Sequence, residues 1–227
     1  MIAVIIPAHN EAEHIGACLQ SLRIASHSSR LGGEAVLVVV VADDCSDATA
    51  DIARVADAVV LPVEARNVGS ARASGAQFAL DAGARWLAFT DADSVVGGDW
   101  LADQIALNSD AVCGTVAVRH WGSYGAPMQR HHERTYTDAD GHQHIHGANL
   151  GVSADAYRRA GGFLALSTNE DVALVDALRK VGARIAWSAR PRVETSARRA
   201  FRAPQGFGAT LLRIHEKFQH VGATAPA

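Results

Sequence analysis

The strongest constraint on the fold is the alternation of short, continuous apolar runs with stretches of helical periodicity. Four apolar runs precede Asp91, at 2–7, 35–42, 58–62 and 86–90. The stretches between them predict helices at 11–25, 47–56 and 69–82. Strands that are apolar throughout and joined by helices are typical of a parallel sheet covered by helices on both faces. The sequence therefore predicts an α/β fold with a mostly parallel sheet.

The second half of the chain is less regular than the first. It opens with a predicted helix at 98–108 and a strand at 111–120, followed by a polar, histidine-rich loop at 121–146. The remaining predictions are helices at 153–160, 170–180 and 205–219 and short strands at 184–187 and 192–195. No repeat, low-complexity tract or linker is evident. We therefore expect one domain, 1–227, with a nucleotide-binding-type first half (about 1–110) and an irregular second half (about 111–227).

The composition excludes several classes of protein. With 48% hydrophobic and 20% charged residues, the 227-residue chain is expected to fold around a core. A net charge of −3 argues against nucleic acid as a partner. Three widely spaced cysteines, Cys18, Cys45 and Cys113, fit a reducing compartment. The longest apolar run is eight residues, short of the roughly 20 that a transmembrane helix needs, and no basic leader is evident, so we expect a cytoplasmic protein.

Polar residues follow each of the four apolar runs, where an open parallel sheet binds its ligands. Asp91 and Asp93 follow the fourth run, and alternation along a strand can place both carboxylates on one side. Such hard oxygen ligands select Mg²⁺ or Mn²⁺, although a simple turn is the alternative explanation. Arg72 falls in the first turn of a helix, where the dipole disfavours a cation, so a nearby anion explains it better. Asn67 and Gly69 are explained by ligand contact or by the turn before that helix.

Six short motifs occur in order along the chain. They are Ile5–Glu11 (IIPAHNE), Asp43–Asp47 (DDCSD), Asn67–Arg72 (NVGSAR), Asp91–Asp93 (DAD), Gly147–Asn149 (GAN) and Glu170–Asp171 (ED). In this order they resemble the family 2 glycosyltransferases with the GT-A fold, over residues 2–196. The resemblance implies a Rossmann-like sheet, a nucleotide-sugar-binding first half and an acceptor-binding second half.

The resemblance also implies which residues bind the nucleotide. These are Pro7, His9, Glu11, Asp43, Asn67, Gly69, Arg72 and Asp91. Pro7 and His9 line the base, and His9 stands where an aromatic ring often stacks on it. Asp43 matches a carboxylate that hydrogen-bonds the base, and Arg72 matches a basic residue near the base and the diphosphate.

Metal and catalytic roles follow from the same resemblance. It implies Mn²⁺ or Mg²⁺ at Asp91 and Asp93, with Asp93 the direct ligand. Of the acidic pair Glu170 and Asp171, the second residue usually supplies the catalytic base. The floor of the acceptor and sugar site is formed by Gly147, Ala148 and Asn149.

The activity implied is transfer of one sugar, with inversion, from a nucleoside-diphosphate sugar to an acceptor hydroxyl. UDP is the commonest nucleotide in such sites, and the sequence identifies neither donor sugar nor acceptor. The Q-x-x-R-W motif of processive relatives is absent.

Two other functions are alternatives to sugar transfer. A sugar-phosphate nucleotidyltransferase would need a glycine-rich basic loop after the first strand, which Pro7–Glu11 lacks, and a non-catalytic nucleotide-sugar-binding protein would not need Asp91, Asp93 and Asp171.

Three features keep two interpretations each. The spacing His142-x-His-x-His146 allows a zinc site, but a polar acceptor loop is favoured because no cysteine or acidic partner has convincing spacing. The arginines of 190–202 form a solvated loop or a mobile segment that closes on an anionic ligand. The last helix packs on the core or makes a peripheral membrane contact. Thr195 stands where some relatives have a histidine metal ligand, so the third ligand is left open.

Overall fold

Eight strands and seven α-helices make up the part of the chain that this computed structural model describes, residues 1–118, 121–195 and 212–213. The strands are β1 (Ile2–Ala8), β2 (Val36–Asp43), β3 (Val59–Val63), β4 (Trp86–Phe89), β5 (Val95–Val96), β6 (Ala111–Val118), β7 (Leu150–Ser153) and β8 (Ile185–Thr195). The helices are α1 (Ile15–Ser26), α2 (Thr49–Val55), α3 (Val68–Asp81), α4 (Trp100–Ala106), α5 (Gly125–Thr135), α6 (Ala154–Ala160) and α7 (Glu170–Lys180). None of the helices in these residues is long and apolar enough to cross a membrane.

The strands form one sheet in the order β3-β2-β1-β4-β7-β6-β8-β5. The first four in this order run parallel, as expected of apolar strands joined by helices. β7 runs antiparallel between β4 and β6, β6 and β8 run parallel, and β5 pairs antiparallel with β8. The predicted α/β fold with a mostly parallel sheet is confirmed, and the reversed strands lie in the less regular part.

Helices cover both faces of the sheet because the central strands present apolar side chains to both. Along β1, Ile2 and Ile6 pack on the side of α1 and α4, whereas Ala3 and Ile5 pack on the side of α3 and α7. Gly75 allows α3 to approach the sheet closely. A Cβ at that position would lie 2.6 Å from a methyl group of Ile5. The strand ends are therefore held by two packed layers, one on each face.

The two short strands predicted at 184–187 and 192–195 form one strand, β8. Its pairing with β6 shifts between Gly114 and Thr115, and residues 189–191 bulge out of the ladder. The bulge sequence, Ala-Arg-Pro, interrupts the apolar pattern, which is why the sequence indicates two strands.

The arginine-rich stretch 190–202 begins inside β8. Arg190 and Arg192 belong to this strand, and Arg192 pairs with Asp138 at 2.7 Å, so this end of the stretch is held on the sheet. The arginines beyond β8 and nearly all of the helix predicted at 205–219 lie outside the described residues. The closing-segment and membrane-contact hypotheses therefore stay predictions.

The loop predicted at 121–146 contains a helix, α5, so this part of the prediction is wrong. The buried residue of α5 is Met128, which packs with Tyr124. Most of its other residues are polar or charged. A helix with so few apolar residues resembles a polar loop in composition, which is why the sequence indicates a loop here.

A ladder of aromatic rings joins this segment to β8. Consecutive ring centroids are separated by 5.2, 4.7, 4.0, 5.4 and 5.9 Å along the series Trp121, His132, Tyr136, His144, His142 and Trp187. We call this series the ring ladder. The hydroxyl of Tyr136 lies 3.0 Å from Nε2 of His146. In the described residues, no group of three His, Cys, Asp or Glu side chains could hold a metal ion. The polar acceptor loop favoured from the sequence stays a prediction.

Histidines in and beside the ring ladder are disposed to stay neutral. Burial, followed by repulsion from His144, His142 and His132, lowers the pKa of His146 to about 3. Burial also lowers the pKa values of His132 and His144. A histidine whose pKa is lower in the folded than in the unfolded chain stabilises the fold above its unfolded pKa of about 6.5. That contribution is lost as the pH falls from about 6.5 toward 3.

We therefore expect the free energy of unfolding to fall more steeply between about pH 7 and pH 4.5 in the wild-type chain than in His146→Gln. Glutamine keeps a polar partner for Tyr136 but does not titrate. Urea unfolding at several pH values measures the difference. His27→Gln, at an exposed position, is the matched control and should leave the slope unchanged. Identical pH slopes in the wild type and His146→Gln would contradict this account.

Candidate active site

The six sequence motifs meet at one edge of the sheet. Parallel strands β1 to β4 all end there, and Pro7, paired with Val41, lies near the end of β1. β7 runs in the opposite direction, with Leu150 paired with Phe89. The residues that immediately precede β7 therefore lie at this same edge. Thr195 reaches the edge at the end of β8, where its hydroxyl accepts a hydrogen bond from Ser94 at 3.1 Å. Motifs from the first and second halves of the chain are therefore neighbours in space.

Asp43 organises the loop after β3. Its two carboxylate oxygens accept hydrogen bonds from the backbone N–H groups of Ala65, Arg66 and Asn67 at 2.7, 2.8 and 2.9 Å. Nδ1 of His9 lies 2.6 Å from the carbonyl oxygen of Asp43. The carboxylate thus already holds protein groups, and the base contact that the family resemblance implies would use its remaining lone pairs.

Backbone and side-chain hydrogen bonds join the loop after β1 to the loop after β2. Oδ1 of Asn10 accepts from the backbone N–H groups of Ser46 and Asp47 at 2.7 and 3.3 Å. The N–H of Glu11 donates to Oγ1 of Thr49 at 2.7 Å, and the Glu11 side chain is buried. Its predicted nucleotide contact would therefore require this buried side chain to reach the ligand.

Asn67 and Gly69 are explained by the start of α3. Asn67 is the N-cap, and its Oδ1 accepts from the N–H of Ser70 at 2.9 Å. At Gly69, a Cβ would lie 2.7 Å from the carbonyl oxygen of Leu166, so only glycine lets the loop before α7 pack here. Both residues therefore shape the site through the backbone, which favours the turn interpretation of the two.

Arg72 is buried between two acidic side chains. Only 3% of its surface is exposed. Nη2 donates to Oδ1 of Asp91 at 2.5 Å, and Nη1 donates to Glu170. Burial acts to lower the pKa of Arg72, but the charges of Asp91, Glu170 and Asp171 outweigh it, so the pKa lies above its ordinary value. The nearby anion expected from the sequence is thus a pair of protein carboxylates.

Gly147 connects Arg72 to the second acid of the α7 pair. A Cβ at Gly147 would lie 2.5 to 2.6 Å from the guanidinium atoms of Arg72, so the guanidinium packs flat against this backbone. The N–H of Gly147 donates to Oδ2 of Asp171 at 2.7 Å, and the N–H of Val172 donates to Oδ1 at 2.8 Å. Asp171 is held by two backbone groups but remains partly exposed.

The two adjacent acids of α7 have different surroundings. Glu170 is 5% exposed and paired with Arg72, whereas Asp171 is partly exposed. Burial raises the pKa of Glu170, and the charge of Arg72 opposes this shift. Of the pair, Asp171 has the access to solvent that a base acting on a substrate needs.

Asn149 is a structural clamp, with its side chain directed into the protein. It is fully buried, and its Nδ2 donates to the carbonyl oxygens of Thr115 and Pro191, both at 2.7 Å. Its Oδ1 accepts from Nε1 of Trp100 at 2.8 Å. The two bonds from Nδ2 satisfy backbone carbonyls of β6 and β8 at the register shift between these strands. Ala148 is also buried, so Gly147 is the member of this motif that contacts Arg72 and Asp171.

Asp91 and Asp93 are both partly exposed, with buried Ala92 between them. Burial, followed by the charges of these two acids, raises the pKa of Cys18, whose thiol donates to the carbonyl oxygen of Asp91 at 3.5 Å. Mg²⁺ and Mn²⁺ are commonly bound by one or two carboxylates together with water and substrate phosphates. This pair fits that arrangement, although no third acidic, histidine or cysteine ligand joins it in residues 1–118, 121–195 and 212–213.

Comparison with known proteins identifies the family. Residues 3–160 match Glycosyl transferase family 2. No curated protein sequence gives a significant match.

Solved structures of similar fold cover nearly the whole chain. S. aureus TarS in complex with UDP-GlcNAc superposes with a TM-score of 0.65 and 18% identity, over 94% of this chain and 65% of that one. The mannosyltransferase PcManGT from Pyrobaculum calidifontis, in complex with GDP-Man and Mn²⁺, gives 0.64 and 19%, over 100% and 65%. This chain thus spans just under two thirds of each, and such identities show the fold alone. Because the family match covers more than half of its length, the chain belongs to glycosyltransferase family 2, and the resemblance stated from its motifs is confirmed.

Proposed function

We propose that this protein transfers one sugar from a nucleoside-diphosphate sugar to an acceptor hydroxyl with inversion, with Asp171 as the general base. The observation that carries the proposal is the placement of Asp171. Backbone N–H groups of Gly147 and Val172 hold its carboxylate, and it stays partly exposed at the edge where the donor-side strands end. A base in a direct displacement must be positioned and accessible in this way.

The proposed reaction moves one proton and one sugar. The acceptor oxygen forms a bond to the anomeric carbon while the bond from that carbon to the diphosphate breaks, and the electron pair leaves with the nucleoside diphosphate. The acceptor proton passes to Asp171. Two of the carboxylate's lone-pair positions accept backbone hydrogen bonds, which leaves others for this proton.

Glu170 has a different role in this proposal. It is buried against Arg72 and serves as the counter-ion of that cation. Removing a proton from an acceptor would require Glu170 to give up this ion pair inside the protein. The second acid of the pair is therefore the better base.

A divalent cation, Mn²⁺ or Mg²⁺, would be held by Asp93 and Asp91. When bound, it neutralises the negative charge that develops on the leaving nucleoside diphosphate. Four carboxylates, those of Asp91, Asp93, Glu170 and Asp171, and the guanidinium of Arg72 lie at this edge in the part of the chain that the structure describes. Their net negative charge would repel a diphosphate, which supports a requirement for the cation.

UDP is our proposed nucleotide, and GDP is the alternative. The UDP-GlcNAc complex of TarS and the GDP-Man and Mn²⁺ complex of PcManGT support a nucleotide sugar of this general class. Donor sugar and acceptor are left to experiment.

We expect nucleoside-diphosphate sugars to raise the thermal unfolding temperature of the wild-type protein only when Mn²⁺ or Mg²⁺ is present, because a ligand that binds only the folded state stabilises it. Thermal shift with UDP-, GDP- and dTDP-sugars, each with and without metal, measures this effect and identifies the nucleotide of the donor. Suppose that none of the nucleotide sugars stabilises the protein, but that a nucleoside triphosphate together with a sugar phosphate does. This result would favour a nucleotidyltransferase instead.

Asp93→Ala should remove the metal-dependent part of nucleoside diphosphate affinity and leave the fold intact, because the carboxylate contributes to binding at the exposed edge. Titration calorimetry with UDP and GDP, with and without Mn²⁺, measures the affinity. Asp155→Ala, at an exposed acid on α6, is the matched control. Equal affinities in the wild type and Asp93→Ala under both conditions would remove Asp93 from the metal site.

Asp171→Asn should lower turnover by about 100-fold or more while donor and metal affinities stay near wild type, because asparagine keeps the shape but cannot accept the proton. Single-turnover transfer and donor titration separate the two effects. Glu170→Gln should be less damaging. Near-full turnover in Asp171→Asn, or a larger loss in Glu170→Gln, would assign the base elsewhere.

A further inference from the structure

We infer that Arg72 is a positioning residue that joins the metal-binding and base-bearing segments, and that it does not contact the donor diphosphate. The inference rests on the proposed function, since it assigns Arg72 a role within that same site. It departs from the diphosphate contact that the family resemblance implies for this residue.

The burial of Arg72 argues against a direct contact with the donor. Its side chain is 4% exposed, and both terminal nitrogens donate to protein carboxylates. Its third nitrogen, Nε, is also buried and has no hydrogen-bond partner among the residues that the structure describes. A diphosphate would have to displace Asp91 or Glu170 to reach the guanidinium, and each displaced carboxylate would lose its charge partner.

The two carboxylates belong to different parts of the site. Asp91 follows β4 and starts the motif proposed to hold the metal, whereas Glu170 begins α7 and precedes the proposed base. Arg72, on α3, bridges them with two separate N–H groups. A planar guanidinium can bond two carboxylates at once in a fixed geometry, which a lysine ammonium does less well.

A second contact carries the effect of Arg72 to Asp171 itself. The guanidinium packs on Gly147, which has no Cβ in the way. The N–H of Gly147 donates to Asp171 at 2.7 Å. The ring of Phe163 lies 5.8 Å from the guanidinium carbon and completes its surroundings. Arg72 therefore supports the base through its ion pair at the start of α7 and through the backbone at Gly147.

Arg72→Lys tests the inference, because lysine keeps the charge and loses the two-way bridge. We expect kcat to fall by about 10- to 100-fold, with donor affinity within about threefold of wild type, since misplaced groups slow the chemical step. Steady-state transfer gives kcat, and titration calorimetry with UDP or GDP and Mn²⁺ gives the affinity. Arg85→Lys is the matched control, because Arg85 makes a two-fold bridge to Glu34 before β4, at the opposite edge of the sheet. It should change neither quantity.

Gly147→Ala tests the same contact without removing any charge. The added methyl group would displace the guanidinium, so we expect the same separation of a lower kcat from a nearly unchanged affinity. This variant keeps the inference testable should Arg72→Lys fail to fold. A loss of nucleotide affinity of about 10-fold or more with kcat retained, in Arg72→Lys, would make Arg72 a donor ligand and overturn the inference. Wild-type kcat in both variants would also overturn it.

The bridge can be measured without any transfer activity. In thermal unfolding, the loss in Tm of the double variant Arg72→Lys with Glu170→Gln should be smaller than the sum of the two single losses, because both break one interaction. Additive losses would contradict the bridge. If the wild-type protein transfers no sugar from any donor, the proposed function fails, and this cycle still decides whether the bridge exists.

Discussion

One buried cation, Arg72, determines which acidic residue at the start of α7 is buried and which stays accessible. Taking a guanidinium out of water costs several kcal/mol unless carboxylates compensate for the lost solvation. Arg72 can therefore be buried only because it forms ion pairs with Asp91 and Glu170. Of the two adjacent acids on α7, this leaves Asp171 accessible. The difference between the neighbours follows from the position of the cation on α3, and their order in the sequence alone would not reveal it.

The reversed strand β7 gives the site its second half. A wholly parallel sheet would bring only the loops after its strands to this edge. Because Leu150 pairs with Phe89 in the antiparallel sense, the segment that precedes β7 arrives beside the end of β4. Asn149 then fixes that segment to the bulged strand β8 through buried hydrogen bonds. The segment that contains Gly147 is thus attached to the same sheet as the motifs that follow β1 to β4.

The sequence predicts the strands and helices of the first half well, since each buried strand is a continuous apolar run bounded by polar residues. It misses α5, because this helix is mostly polar and buries one residue, Met128. It divides β8 in two because the bulge interrupts the apolar pattern. The pairing of β8 with β6 on both sides of the bulge is not visible in the sequence. At the site, it finds the chemical groups but not their partners. The burial of Asn149 and Arg72 depends on contacts between residues far apart in the chain. A sequence does not show whether a polar side chain is buried or exposed.

The contact between Arg72 and Gly147 has a consequence for how this site can diverge among relatives. The guanidinium occupies the space in which a Cβ at position 147 would lie. The two positions are therefore expected to vary together, with glycine required wherever an arginine fills this space. A relative with a smaller residue at the first position has room for alanine or serine at the second. Such a paired exchange would place a methyl or hydroxyl group beside the acidic pair Glu170 and Asp171, and so would change the shape and polarity of the site while the sheet stays unchanged.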